Sequence, residues 1–380
     1  MALTKYKLGN LLQFLDNRNV DLLYGSDDVR GVNNLKELMP TKADISGRDL
    51  RKFQIVNPGE FVFNHRTSRN GSKFSIAYND TENPVICTED YVVFRVTEEA
   101  QRCILSARWL YIFFKRAEFD RYVITNSWGS STEFFNWDDV CDIEIELPPL
   151  DIQQKYVDVY QSMLANQQSY EQGLEDLKLV CDAYIEELRR KVPCQKIGPF
   201  ISLSEQKNDD EVYGLHSVRG ISIEKKFIST KAKMEGVNLK PYYIVGPDEF
   251  AFVPVTSRNG GKISIALNQS KEPYICSSSY VVFKINDKTK IWPAYLQMYF
   301  ERSEFNRYAR FHSWGSARET FDFDEMCDVE IPIPDIKIQK AISDIYTVYI
   351  ERKHINERLK ERIKNICPIL IKGSLDEGRA

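Results

Sequence analysis

The chain has 380 residues, of which 43% are hydrophobic and 28% charged, and its formal net charge is −4. This composition is typical of a globular protein with two domain cores, and no apolar run reaches membrane-spanning length. The N-terminus lacks the apolar segment of a secretory signal, so a cytoplasmic protein is predicted. The acidic net charge argues against strong DNA binding by the chain alone, and weak, salt-sensitive binding is expected.

The first 149 residues have the pattern of a mixed domain. Short β-type runs at Phe61–Phe63, Phe74–Tyr78 and Tyr91–Val96 alternate with turn signals such as Asn70-Gly71. A helical stretch from Ser106 to Arg121 follows, and a Ser-Trp-Gly-Ser loop precedes the closing strand. We therefore predict an α+β domain.

A long helix is predicted next, from Ile152 to Val192. Apolar and aromatic residues recur there every seven positions with no internal proline, which is the pattern of a coiled-coil helix. Pro193 ends the run because proline lacks a backbone donor. At about 1.5 Å per residue, the helix spans roughly 60 Å.

The domain then occurs a second time. At a displacement of 189 residues, Thr67–Gly71 matches Thr256–Gly260 in the sequence Thr-Ser-Arg-Asn-Gly. Beyond this the displacement falls to 186, so the second copy lacks three residues between Phe94 and Phe119, and Ser127–Ser130 matches Ser313–Ser316. A match this long indicates a duplicated domain rather than a solenoid of short repeats.

A second helical run closes the chain and keeps helical spacing from Ile342 up to Pro368, although Arg352 and Asn356 interrupt its apolar seam. Residues 150–193 contain five basic and eight acidic side chains, whereas residues 335–380 contain ten basic and seven acidic ones. Opposite net charges favour pairing between the two long helices.

The sequence offers little catalytic chemistry. It contains no P-loop, nucleophile elbow, methyltransferase Asn-Pro-Pro-Tyr-like turn or repeated carboxylate cluster, and its eight cysteines form no C-x-x-C pair. The four histidines lack metal-ligand spacing, so no metal site is predicted. A duplicated domain without such groups is more consistent with binding than with catalysis.

Cations and hydroxyls near turns recur in both copies and suit phosphate contacts. Residues that differ between the copies, such as Arg66 against Val255 and Thr132 against Arg318, are candidates for reading base edges, with neutral drift as the alternative. Ser-Arg-Asn-Gly could equally be only a tight hairpin. The candidate DNA-binding residues are Lys42, Arg66, Ser68, Arg69, Asn70, Lys73, Arg121, Ser127, Ser130, Lys231, Ser257, Arg258, Asn259, Lys262, Arg307, His312, Ser313, Ser316 and Arg318.

Each copy ends with an acidic turn (Trp137-Asp138-Asp139 or Phe323-Asp324-Glu325), a proline-containing strand, and a helix bearing Gln153 or Gln339. In this order and in its duplication, nearly the whole chain resembles the specificity subunit of type I restriction-modification systems. The resemblance implies an α+β fold in which two homologous target-recognition domains are separated by an antiparallel pair of long coiled-coil helices with pseudo-twofold symmetry. The domains would be residues 1–149 and 194–334, and the helices would be residues 150–193 and 335–380 (conserved regions 1 and 2).

The same resemblance implies a non-catalytic subunit that binds a bipartite double-stranded DNA site. Its partners would be two methyltransferase subunits and the restriction subunits. S-adenosylmethionine, ATP and Mg would act in those partners, and no cofactor would bind this chain. Because the two domains match along their length, the half-sites are predicted to share some bases.

Two other functions stay open from the residues alone. One is a stand-alone DNA endonuclease or methyltransferase with an unrecognised site. The other is a protein-interaction scaffold without DNA specificity.

Overall fold

The computed structural model describes residues 3–41, 43–67, 73–130, 132–230, 233–256, 262–316 and 318–380. It divides into two compact units. Unit 1 comprises Met1–Tyr170 and Ile355–Ala380, and unit 2 comprises Glu171–His354. Each unit contains one copy of the duplicated domain and a part of each long helix. The predicted mixed α+β architecture with two long helices is confirmed.

The strands of unit 1 form antiparallel pairs. In chain order they are β1 (Thr4–Lys7), β2 (Leu12–Leu15), β3 (Arg30–Val32), β4 (Leu38–Pro40), β5 (Gln54–Val56), β6 (Phe61–Asn64), β7 (Ile76–Tyr78), β8 (Val85–Cys87), β9 (Tyr91–Val96) and β10 (Glu144–Leu147). The central sheet has the order β2-β9-β6-β7, and the other pairs are β1 with β10, β3 with β4 and β5 with β8. The β1–β10 pairing joins the two ends of the domain.

The helices that follow these strands are α1 (Glu98–Cys103), α2 (Ala107–Phe114), α3 (Ala117–Thr125), α4 (Trp137–Cys141) and the long α5 (Leu150–Lys191). The prediction of one continuous helix from Ser106 to Arg121 is wrong, because Arg116 is extended and separates α2 from α3. The break lets Phe114 and Phe119 pack on each other, with ring centroids 4.7 Å apart in the core of unit 1.

Unit 2 repeats this arrangement. Its elements are β11 (Cys194–Lys196), β12 (Ile201–Leu203), β13 (Arg219–Ile221), β14 (Phe227–Ser229), β15 (Tyr243–Val245), β16 (Phe250–Phe252), β17 (Ile265–Leu267), β18 (Tyr274–Cys276), β19 (Val281–Ile285), α6 (Pro293–Glu301), α7 (Ser303–Phe311), α8 (Phe323–Cys327), β20 (Glu330–Pro332) and α9 (Ile336–Arg379). Its central sheet has the equivalent order β12-β19-β16-β17. The three missing residues fall where unit 1 has α1 and unit 2 has only a turn at residues 288–290.

The two long helices pair within each unit. In unit 1, Tyr160 of α5 and Ile371 of α9 belong to one apolar core, and in unit 2 Ile185 of α5 and Tyr346 of α9 do the same. The buried Asn356 accepts a hydrogen bond from Gln167 Nε2 at 3.0 Å. The asparagine therefore makes a polar contact inside the seam rather than simply interrupting it.

The second long helix does not end at Pro368 as predicted. It continues to Arg379, and Leu370, Ile371 and Ser374 beyond the proline are buried in unit 1. Packing of this last segment compensates for the backbone hydrogen bond that the proline cannot make.

A buried glutamine ties each domain to its long helix. Gln153 Oε1 accepts from the Ser106 amide at 2.9 Å, and its Nε2 donates to the carbonyls of Ile104 and Pro148 at 2.8 Å. Gln339 makes the equivalent bonds in unit 2, with the amide of Trp292 and the carbonyls of Lys290 and Pro334. Because both side chains are fully buried, each glutamine fixes the angle at which its helix leaves the domain.

Candidate nucleic-acid interface

The Ser-Trp-Gly-Ser segments begin two closed loops, which we call the tryptophan loops (residues 127–134 and 313–320). In unit 1, α3 ends at Thr125 and Ser127 Oγ donates to the Val123 carbonyl at 2.7 Å. Trp128 and Phe134 then exchange backbone hydrogen bonds of 3.1 and 3.0 Å. The loop is therefore closed at its base by a short antiparallel bridge.

The tryptophan loop of unit 2 has the same construction. Ser313 Oγ donates to the Ala309 carbonyl at 2.6 Å, and Trp314 and Thr320 exchange backbone hydrogen bonds of 3.0 and 2.9 Å. The loop geometry is thus a property of the repeated sequence and not of one copy.

A glycine with positive φ makes each turn possible. Gly129 has φ +154° and Gly315 has φ +137°. A Cβ atom at Gly129 would lie 1.9 Å from the Thr132 carbonyl oxygen, and one at Gly315 would lie 2.2 Å from that of Arg318. Only glycine fits at these positions.

The tryptophan loop lies beside the chain that enters the Thr-Ser-Arg-Asn-Gly segment (residues 67–71 and 256–260). We call this segment the arginine turn because its sequence predicts a turn; of its residues the structure describes Thr67 and Thr256. The Thr67 amide donates to the Glu133 carbonyl at 2.9 Å, and the Phe135 amide donates to the His65 carbonyl at 2.9 Å. The structure thus places the start of the arginine turn next to the tryptophan loop.

The same pairing is present in unit 2. The Thr256 amide donates to the Glu319 carbonyl at 3.0 Å, and the Phe321 amide donates to the Pro254 carbonyl at 2.8 Å.

Eight of the predicted candidates lie outside the described residues, namely Lys42, Ser68, Arg69, Asn70, Lys231, Ser257, Arg258 and Asn259.

Among the shared candidate cations that the structure describes, the arginines at equivalent positions of α3 and α7 are the most exposed. Arg121 lies 3.6 Å from Glu118, and Arg307 donates to Glu304 at 3.2 Å, each pair being one helical turn apart. Surface pairs of this kind contribute little to stability, so both guanidinium groups can exchange their partner for a phosphate.

The other cations are more constrained. Arg66 is partly buried, 3.6 Å from Asp90, and its Nε atom has no hydrogen-bond partner. Lys73 is half-buried, whereas Lys262 is exposed and lies 3.5 Å from Glu224. Burial lowers the pKa of the neighbouring His65, and the positive charge of Arg66 lowers it further. Arg66 is therefore a cation held beside a neutral histidine in the stem of the arginine turn.

The serines of the two loops fall into two groups. Ser127 and Ser313 use their hydroxyls to cap the preceding helix, and Ser313 is buried and also accepts from Thr256 Oγ1 at 2.9 Å. Ser130 and Ser316 are exposed, as is Arg318. His312 is half-buried, with Nδ1 3.5 Å from Glu325. The exposed pair is thus better placed for ligand contact than the capping pair.

The structure adds aromatic residues that the sequence reasoning missed. Trp128 and Trp314 are 74% and 63% exposed, and Phe311 at the end of α7 is 76% exposed. Exposed indole rings on rigid turns are uncommon on a surface with no ligand to contact. The signal in the sequence is the recurrence of the tryptophan at equivalent positions of the two copies.

Metal chemistry and membrane insertion have no support in the parts of the chain that the structure describes. There, no group of three or more His, Cys, Asp and Glu side chains could hold a metal ion. None of the helices described combines the length and hydropathy that a bilayer crossing requires.

Comparison with known proteins agrees with this picture. Residues 195–365 match the family described as type I restriction modification DNA specificity domain. The fold is similar to that of the type I restriction-modification system S subunit from M. genitalium, with a TM-score of 0.59 and 10% identity over 99% of this chain and 96% of that one. No curated protein matches the sequence.

A further similar structure is the HsdS subunit from Thermoanaerobacter tengcongensis, with a TM-score of 0.41 and 13% identity over 98% of this chain and 96% of that one. Subunits of this family recognise DNA and are not themselves catalytic. Residues 195–365 are thus similar to a type I restriction modification DNA specificity domain, and the chain as a whole shares the fold of a type I restriction-modification S subunit.

Proposed function

We propose that each unit of this specificity subunit recognises one half of a bipartite DNA target, with the tryptophan loop and the arginine turn forming the contact surface. The observation that carries the proposal is the shared construction. In both units a glycine-dependent loop with an exposed indole is fixed beside the start of an arginine-containing turn. Two equivalent surfaces on one chain suit a target with two half-sites.

Shared and unshared residues have different roles in this proposal. The exposed arginines at 121 and 307 contact phosphates and set the position of each unit on the duplex. The unshared pairs Arg66 with Val255 and Thr132 with Arg318 read base edges, because an arginine in the major groove can pair with guanine in a bidentate way. Half-sites that share some bases follow from the long match between the copies.

The long helices would bind the methyltransferase subunits. Within unit 2, Leu179 and Val180 of α5 are exposed, and within unit 1 Ile369 of α9 is exposed. Apolar side chains left open on helical faces are typical of surfaces that a partner covers. The proposal includes two methyltransferase subunits and the restriction subunits as partners, with S-adenosylmethionine, ATP and Mg acting in them and no cofactor on this chain.

The net charge of −4 limits what the chain does alone. Phosphate neutralisation drives most non-specific DNA affinity, so an acidic subunit binds weakly without its partners. In this proposal the partners close around the duplex and supply the affinity that the chain lacks, and the complex works in the cytoplasm, where its DNA target lies.

The primary test is co-expression of the chain with the methyltransferase subunit encoded beside it, followed by genome-wide mapping of methylated adenines. A bipartite motif should disappear when the chain is deleted. Exchange of residues 1–149 for those of a relative should change one half of the motif only. Methylation that persists without the chain contradicts the proposal and favours an independent enzyme.

A finer test grafts two positions between the copies. Replacing Arg66 with valine and Thr132 with arginine gives unit 1 the residues of unit 2 at these sites. The first half of the methylated motif should then move toward the second. The matched control replaces the exposed Arg102 with alanine. This residue lies on α1, in whose place unit 2 has only a turn. An unchanged motif in the double variant contradicts the assignment of these two residues to base contacts.

A further inference from the structure

A cleft of about 260 Å³ lies inside unit 2, away from the tryptophan loop. Its walls come from the second half of α5, the β13–β14 turn, the α6–α7 corner and the first half of α9. The cations that line it are Lys178, Lys225, Lys226, Lys262, Arg302 and Lys353. The acids that line it are fewer, namely Asp182, Glu224 and Glu301. The lining therefore has an excess of positive charge.

The acids present are already shared among these cations. Glu224 lies 3.5 Å from Lys262 and 3.8 Å from Lys353. Asp182 lies 3.7 Å from Arg302, and Glu186 and Glu304 at the rim also contact this arginine. Burial raises the pKa of both Asp182 and Glu301, whereas Arg302 favours the charged form of Asp182 and Lys225 favours that of Glu301.

Lys225 is a buried lysine of this cleft. Its side chain is buried, and Nζ donates to the Phe300 carbonyl and lies 5.3 Å from the ring centre of Phe305. Among the described residues, no carboxylate lies within ion-pair distance of this ammonium group. Burial lowers the pKa of Lys225 to about 8, so it is mostly charged at neutral pH. Glu301 attracts this ammonium group without a direct ion pair. A buried charge that lacks a hydrogen-bonded counter-ion is costly.

In unit 1 the equivalent lysine has a direct carboxylate partner. This lysine, Lys36, forms a buried ion pair with Asp120 Oδ1 at 2.5 Å, and the same oxygen accepts from the Phe74 amide at 3.0 Å. The residue of unit 2 that corresponds to Asp120 is Asn306. The Asn306 Oδ1 atom is buried and has no hydrogen-bond partner. The carboxylate that pairs directly with the lysine in unit 1 is thus absent at this position, although Glu301, which corresponds to Lys115, brings a carboxylate to the cleft of unit 2.

An unpartnered donor also lines this cleft. Arg302 is buried, and its Nη1 atom makes no hydrogen bond although Nη2 contacts Glu186. A guanidinium group offers donors in a planar fork that matches phosphate oxygens. The Asn306 amide can also rotate to present its Nδ2 donors, since no hydrogen bond holds its oxygen in place.

We propose that this cleft binds a small free phosphate anion, held by Lys225 Nζ and Arg302 Nη1, which takes the place of the Asp120 carboxylate of unit 1. The anion is either inorganic phosphate or the phosphate group of a nucleotide. Its binding supplies the direct ion pair that Asp120 makes in unit 1, and it joins the β13–β14 turn to the α6–α7 corner.

The test uses the full-length chain in a phosphate-free buffer at pH 7. Isothermal titration and thermal unfolding are measured with inorganic phosphate and with AMP, against chloride at equal ionic strength. We expect saturable binding to the unmodified chain and a rise in Tm. In Asn306→Asp, phosphate binding should weaken at least tenfold and the Tm without phosphate should rise, because the carboxylate compensates for Lys225 internally.

Phosphate stabilises any protein to some extent because it is excluded from the protein surface. This general effect is the same in the unmodified chain and in Asn306→Asp, so the difference between their phosphate-dependent rises in Tm reports on the cleft. Asp120→Asn is the matched control in unit 1, and it should lower the Tm while leaving phosphate binding to unit 2 intact. Arg302→Gln serves as a second site variant should Asn306→Asp not fold, and its phosphate binding should weaken in the same way.

Equal phosphate affinity in the unmodified chain and in the site variants overturns the proposal, as does an absence of saturable binding. AMP binding more tightly than inorganic phosphate identifies a nucleotide as the source of the anion. Equal or weaker AMP binding identifies inorganic phosphate.

Discussion

Replacing Gln153 with methionine tests how the domain of unit 1 is anchored to its long helix. Methionine keeps the length and apolar stem of the side chain but removes the amide group. The amide of Ser106 and the carbonyls of Ile104 and Pro148 then lose a partner that is fully buried. At about 1 kcal/mol for each buried group left unpaired, the free energy of unfolding should fall by about 3 kcal/mol.

The neighbouring glutamine provides the control. Gln154 is exposed and donates to Asp158 on the helix surface. Its replacement with methionine should change the free energy of unfolding by no more than about 0.5 kcal/mol. The equivalent change in unit 2, Gln339→Met, should cost as much as Gln153→Met, because its hydrogen bonds are the same.

Urea unfolding followed by circular dichroism gives the total loss, and hydrogen exchange locates it. In Gln153→Met, exchange should accelerate at the Ser106 amide and stay unchanged at the Trp292 amide of unit 2. A loss similar to that of Gln154→Met, or an unchanged exchange rate at Ser106, would refute the view that this glutamine anchors the helix.

Three further variants address the DNA surface and its frame. Arg121→Ala should reduce the slope of log K against log salt by about 0.9, measured by fluorescence anisotropy in the complex with the partners, whereas Arg102→Ala should not. Gly129→Ala should lower the free energy of unfolding by about 1–3 kcal/mol in urea titrations, because φ is positive at this residue. The control Gly25→Ala should be nearly neutral, because a Cβ atom at that position meets no atom within 4 Å. Trp128→Ala should weaken DNA binding about tenfold in the same anisotropy assay with an unchanged Tm, because the ring is exposed and an aromatic contact to a base contributes about 1–3 kcal/mol.

The duplicated architecture was predictable because the sequence contains two copies of the domain. Each residue match at a displacement of 189 or 186 constrains two structures at once, so β6 and β16 occupy the same place in equivalent sheets. The seven-residue repeat likewise predicted α5, and its end at Lys191 lies close to Pro193.

The errors in the fold arose where distant packing decides local structure. Nothing in Lys115-Arg116 marks a helix break, and the break follows from the packing of Phe114 on Phe119. The proline of α9 gives a strong stop signal that the burial of Ile371 in unit 1 overrides. Local propensity is a weak guide in both cases because tertiary contacts contribute more free energy.

The candidate site was predictable in its residue types but not in its arrangement. Sequence spacing cannot show that Thr67 pairs with Glu133, because the two are 66 residues apart and no local pattern links them. It also cannot separate the capping role of Ser127 from the exposed position of Ser130. The exposed ring of Trp128 was overlooked because a tryptophan in a repeated motif is more often part of a core.

The pattern of change between the two copies bears on how one scaffold can serve two half-sites. Near Lys36 of the β3–β4 turn in unit 1, Lys115 lies 3.6 Å from Glu37. The corresponding residues of unit 2, Glu301 and Lys226, carry the reverse charges. Burial raises the pKa of Glu301, while Lys225 and, to a smaller extent, Lys353 and Lys226 lower it, so an attraction between the two positions is retained. Compensated exchanges of this kind leave the frame intact, so the positions that close the loops keep their geometry while residues beside them vary. Specificity can therefore diverge at the surface of each unit without a change in the fold that holds the surface.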